Sequence, residues 1–307
     1  MITKEIETIP DREQLKNWLL LVALAITWGC SFILMKIGLT AFSFAQVAGL
    51  RTGITSVLFL PFFFRLRHTI DGSKWKYTTI VALFGNGIPA FLFAFAQTHI
   101  NSALSGILNS LTPLWVMIVG ALAYNIKISR IKAVGIVIGL LGAILIVSLR
   151  PSHSADNQNN IYGLFIILAT LLYGISSNNI KTNLQNVPPI IASTMAFMVI
   201  GPPCLIYVFG FTNLFEIWAT NPNAVPAFLA ILALAVMNTF IGNIAYYVLI
   251  QRTNAIFASI VTYLIPIVSI AIGTFYGESI LLTQIGGMAL ILSGVYLLNK
   301  KELKIIN

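Results

Sequence analysis

The sequence predicts an all-α integral membrane protein of ten transmembrane helices, arranged as two inverted five-helix repeats. Three observations lead there. Of 307 residues, 58% are hydrophobic and 9% charged, against about 25% charged in a soluble domain. The apolar residues gather into runs long enough to cross lipid. The chain also repeats itself: Trp28-Gly29-Cys30-Ser31, followed by Lys36, returns 145 positions later as Tyr173-Gly174-Ile175-Ser176, followed by Lys181. Asn101, Pro113 and Gly120 return at an offset of 153 as Asn254, Pro266 and Gly273, and Gly135 and Gly142 at 152 as Gly287 and Gly294.

A helix needs about twenty apolar residues to cross a bilayer, because it rises 1.5 Å per residue through some 30 Å of hydrocarbon. Lipid offers no hydrogen bonds to the backbone, so a span must pair internally, and the short alternating strands of a barrel are missing here. After a polar cytoplasmic segment at 1–16, the first repeat at 17–149 holds runs at 18–39, 44–64, 77–97, 102–124 and 131–149. A polar, Asn-rich linker at 150–160 follows, in which Pro151 blocks helix continuation. The second repeat at 161–299 holds runs at 162–182, 189–210, 225–250, 255–276 and 281–298, before a basic cytoplasmic tail at 300–307. The first run is too long for a cleaved signal sequence and reads as a retained anchor.

Cationic loop residues mark the cytoplasmic face. Lys4, Arg12 and Lys16 precede the first run; Arg65, Arg67, Lys74 and Lys76 follow the second; Lys127, Arg130 and Lys132 follow the fourth; Lys300, Lys301 and Lys304 close the chain. The other face offers Lys36 and Arg150. Both termini are therefore expected in the cytoplasm, and the protein in a plasma (bacterial inner) membrane. The net charge of +9 is loop bias, and no nucleic-acid partner is expected. Cys30 and Cys204 lie in different halves and form neither a disulfide framework nor a metal pair; no cofactor is expected.

Five helices per half is an odd number, so the second copy enters the bilayer upside down. Inverted repeats suit alternating access, in which two halves of similar energy exchange conformations around a central site. Polar groups at depth are the candidates for that site. Trp28 and Ser31 in the first run share a level with Tyr173 and Asn178 in the sixth. Asn86 and Gln97 in the third face the register of Asn238, Asn243 and Tyr246 in the eighth. Asn109 and Trp115 in the fourth match the level of Tyr263 in the ninth. Together they predict a cavity of aromatics and amides for a small polar solute; as single residues, amides can equally serve as helix-bridging groups. Pro113 and Pro266 break corresponding helices and are candidate gates. Arg51 is the one charge deep in a span, open to packing or to solute contact. No Asp or Glu lies comparably deep, Glu278 after the ninth run coming nearest, which argues against a carboxylate-based ion coupling. The glycines at 135, 139 and 142, and at 286, 287 and 294, allow close helix approach within the chain or across a homodimer.

Trp28-Gly29-Cys30-Ser31-Phe32, Arg51, the Pro113 and Pro266 helices, and Tyr276-Gly277-Glu278 with Gln284-Ile285-Gly286-Gly287 and Gly294 resemble the EamA branch of the drug/metabolite transporter superfamily. The resemblance covers nearly the whole chain. It implies ten helices in two inverted halves, a central cavity, and transport of small metabolites, often export of amino acids or related compounds. The family often carries an acidic residue after the fourth helix that mirrors Glu278; this chain has Tyr124-Asn125-Ile126-Lys127 there. An intramembrane enzyme would need a nucleophile–base pair at depth, and His68, His99 and His153 all lie at or near loops. A channel or a lipid flippase on the same fold remains as an alternative.

Overall fold

The computed structural model describes residues 11–69, 71–125, 128–148, 159–278 and 280–303. Lys4, Lys127, Arg150, His153, Lys304 and most of the predicted linker lie outside them. The described chain is helical, without strands. Nine of its helices are long and apolar enough to cross a membrane: α1 (Arg12–Gly38), α2 (Phe44–Thr69), α3 (Gly72–Ala96), α4 (Ser102–Tyr124), α5 (Arg130–Ser148), α6 (Asn160–Asn183), α7 (Pro189–Phe211), α8 (Ala224–Arg252) and α9 (Phe257–Phe275). A further helix, α10 (Leu282–Leu303), carries a shorter apolar stretch over Leu282–Leu297. The exterior is greasy: Leu122, Phe275 and Leu282 are 82%, 87% and 83% exposed, a surface that only lipid covers without cost. This is a multi-pass membrane protein.

Side chains start most of these helices by capturing orphan N–H groups. Ser43 and Gln46 form a reciprocal capping box at α2. Asp71 accepts from Ser73 N at 2.8 Å and opens α3, five residues ahead of the apolar run. Asn159 caps the first turn of α6, and Pro189 opens α7. The first helix likewise begins before its apolar run, across a Lys16–Glu13 pair one turn apart. Hydropathy marks where a helix meets lipid, not where its hydrogen bonds start. A short helix at Leu214–Thr220 between α7 and α8 has no apolar run of spanning length, and hydropathy did not predict it.

Glycine sets the closest packing. A Cβ on Gly142 would lie 2.7 Å from the Gly287 carbonyl oxygen, and one on Gly135 2.5 Å from that of Gly294. Both glycine faces are thus occupied within one chain, in the contact of α5 with α10; Gly286 alone faces open space. α2 and α7 form the other extensive pair, with Gly49 beside Val208. α1 packs on α9 as α4 packs on α6: Gly29 accommodates Val268 and Gly174 accommodates Trp115.

The junctions entering α4 and α9 share two devices. Asn101 accepts from Leu104 N and Asn254 from Phe257 N, each at 2.8 Å. Lys36 donates to the carbonyls of Gln97 and Ile100, both at 3.3 Å, and Lys181 donates to that of Thr253 at 3.1 Å. A cation beside the last carbonyls of a helix meets both unpaired acceptors and the negative end of the dipole. A third device serves α4 alone. The Glu278 carboxylate accepts from Ser102 N (2.9 Å), Ser102 Oγ (2.7 Å) and Ala103 N (3.0 Å), reached through a turn whose Gly277 has φ +82°.

Candidate functional site

Between the helices lies one cavity of about 970 Å³ free of protein atoms, including its open mouth. Its wall comes from α1, α2, α3 and α4 in the first half and α6, α7, α8 and α9 in the second. None of the wall residues comes from α5 or α10.

Two departures from regular helix shape the wall. α3 is π-helical over Leu83–Gly87 and α8 over Leu234–Ile241, and Asn86 and Asn238 sit in these wide turns. A π turn holds an extra residue per turn, leaves carbonyls poorly paired and is common at working sites. Asn86 gives an amide N–H to the Val81 carbonyl at 3.3 Å, five residues back. Nearby, Asn243 gives one to Thr239 O at 2.7 Å. α4 is interrupted at Ser110 and Leu111, just before Pro113, and α9 is interrupted at Ile260, six residues before Pro266. Proline denies Asn109 its usual donor, and Thr112 Oγ1 replaces it at 2.8 Å.

Eight of the twelve residues singled out from the sequence share this wall. Trp28, Ser31, Asn86 and Asn109 come from the first half, and Tyr173, Asn238, Asn243 and Tyr246 from the second. Trp28 and Asn238 are partly engaged with each other's helices. The indole Nε1 donates to Asn238 O at 3.0 Å, and the Asn238 amide donates to Thr27 O. Gly242 makes room for that indole, since a Cβ there would lie 2.8 Å from Nε1. The wall's rings pair across helices: Trp28 lies 5.1 Å from Tyr246, and Phe93 stacks on Tyr173 at 6.0 Å. The Tyr246 hydroxyl meets Ser177 Oγ at 3.3 Å.

The other four lie outside the wall. Gln97 is fully buried and neither amide atom has a partner among the described residues; its backbone carbonyl receives Lys36. Trp115 packs on Gly174, and its buried indole N–H has no partner among the described residues. Asn178 donates to Val116 O and Gly174 O, both at 2.9 Å, tying α6 to α4. Tyr263 donates to Val295 O at 3.3 Å, toward α10.

Arg51 is in the wall, its Nε donating to Thr239 Oγ1 at 2.7 Å. Thr239, Thr112 and Phe93 are wall residues that the sequence did not single out. The clue for Thr239 was its place beside Asn238; nothing in the sequence foretold the π turn that presents it.

Comparison with known proteins agrees with this architecture. A sequence model of the EamA-like transporter family matches residues 16–148 and 160–300. A protein of Archaeoglobus fulgidus named as an uncharacterized transporter is 26% identical over 301 residues, covering 94% of this chain and all of that protein. A probable amino-acid metabolite efflux pump of Salmonella typhimurium is 23% identical over 291 residues, covering 92% and 94%. A crystal structure with 14% identity superposes with a TM-score of 0.62 over 94% of this chain and 98% of its own, and shows a shared fold.

Proposed function

The chain belongs to the EamA-like transporter family and is a membrane transporter, not an enzyme; on that premise we propose that it exports small polar or amphipathic metabolites of amino-acid type across a bacterial plasma membrane. The cavity carries this reading, because both halves contribute amides and aromatic rings to one site. The efflux name of the Salmonella relative supports the solute class and the direction.

The mechanism proposed is alternating access between two inverted five-helix halves with both termini cytoplasmic. The paired contacts support it: α1–α9 with α4–α6, and α5–α10 and α2–α7 each joining equivalent helices. Rocking would turn on the interrupted helices, with Pro113 and Pro266 setting the hinges in α4 and α9. The wall residues Trp28, Ser31, Asn86, Asn109, Tyr173, Asn238, Asn243 and Tyr246 hold the solute. Gln97, Trp115, Asn178 and Tyr263 support helices around it.

Counterflow of an amino-acid panel in proteoliposomes tests the function. Wild type should give saturable exchange that Asn243→Ala and Tyr246→Ala weaken, whereas linear, unsaturable flux would indicate a channel. Reporter fusions test the topology; ends on opposite faces would remove the inverted arrangement.

A further inference from the structure

Taking the cavity as the solute site, we infer that its substrates are organic monocarboxylates, with or without an amino group, and that Arg51 receives the carboxylate. Among the described residues Arg51 is the only charged one in the wall. Among the described residues the one ion pair is Lys16–Glu13, so the guanidinium has no carboxylate of the protein's own. Its Nε is engaged by Thr239 Oγ1 at 2.7 Å, which fixes the plane of the group. The two terminal nitrogens have no hydrogen-bond partner among the described residues. A guanidinium held by one edge, with its fork free beside a cavity, is the geometry that takes a carboxylate through two parallel hydrogen bonds. An unpaired cation at this depth is costly, and a bound carboxylate offsets that cost only while the site is filled.

A second group points the same way. Asn109 is buried, lines the same cavity, and its side-chain amide has no hydrogen-bond partner among the described residues. Its own carbonyl is already met by Thr112, so the amide is left for the solute. Asn86 and Asn243 spend amide N–H groups on backbone carbonyls, which leaves amide oxygens as acceptors for an amine or hydroxyl. The rest of the wall mixes aromatic and aliphatic side chains with uncharged serine and threonine hydroxyls. One fixed positive charge and no fixed negative charge define a selection rule. A lone cation is repelled, a second carboxylate finds no partner, and a single carboxylate on an apolar body fits.

Four probes sharing a phenyl ring separate the charges: phenylacetate, phenylalanine, phenylalanine methyl ester and phenethylamine. The readout is the ligand-induced rise in the unfolding midpoint of the purified full-length protein at pH 7. The two carboxylates should raise the midpoint of wild type, and the ester and amine should not. Arg51→Gln should weaken carboxylate binding at least tenfold, and Arg51→Lys less, because it keeps the charge and loses the fork. If Arg51→Gln does not fold, the charge series on wild type and Arg51→Lys still decide the matter. Equal or better protection by the ester or amine, or unchanged carboxylate binding in Arg51→Gln, overturns the inference. So does failure of both carboxylates to bind. Amino-acid counterflow persisting alongside any of those results would leave the transport reading intact; its absence would remove that reading too.

Discussion

Where α3 hands over to α4, three side chains secure the turn: Asn101 caps the new helix, Lys36 closes the old one, and Glu278 reaches across from beyond α9. Where α8 hands over to α9, Asn254 and Lys181 do the first two jobs, and their partners Phe257 and Thr253 stand 153 positions on from Leu104 and Ile100. The third job has no acidic candidate. The turn after α4 that corresponds to the Glu278 turn offers Asn125, left-handed at φ 55°, where the other copy has Gly277. What the copies share makes the helices; what only one has makes the two junctions unequal in strength. On the alternating-access mechanism proposed above, a carboxylate on one junction alone would bias the balance between the two states.

The largest effect should come where equivalent helices meet. Gly142→Leu and Gly287→Leu each drive a side chain into the facing backbone and should cost about 3 kcal/mol or abolish folding, as overpacking does at its upper range; unequal losses in purified yield and midpoint would break the symmetry of that contact. Glu278→Ala strips three hydrogen bonds from α4 and should cost about 2 kcal/mol, with Glu278→Gln retaining part. Adding a carboxylate by Ile126→Glu, one position past Asn125 as Glu278 is one past Gly277, tests whether the other junction can be strengthened likewise. Next, Lys36→Met and Lys181→Met should lose about 1 kcal/mol each, and Asn101→Ala and Asn254→Ala a similar or smaller amount. Matched midpoint losses within each pair sustain the comparison; a loss confined to one member ends it. The smallest effect is Gln97→Met, which removes an unpaired buried amide and should leave the midpoint unchanged or raise it by up to about 1 kcal/mol in stability terms.

The spans were legible because lipid imposes a length and a composition that the sequence cannot hide: the run at 102–124 coincides with Ser102–Tyr124. Rotation about each helix was far less legible. Asn178 lies near Tyr173 in sequence, yet faces α4 while Tyr173 faces the cavity. In a soluble helix a polar stripe shows which side meets water. Here lipid and the protein interior are both apolar, so depth could be read and direction could not. Trp115 misled for the same reason, being at the right level and turned against Gly174. The π turns were hidden altogether, because no residue type announces them.

Those two wide turns have a mechanical meaning. Each stores a surplus residue in the middle of a cavity helix. Letting that surplus move along α3 or α8 would swing the residues it passes by about 100° around the axis, one residue's step in a 3.6-fold coil. Asn86 and Asn238 could then be dealt toward the solute or away from it while the lipid-facing ends stay anchored, as a camshaft presents and withdraws its lobes without leaving its bearings.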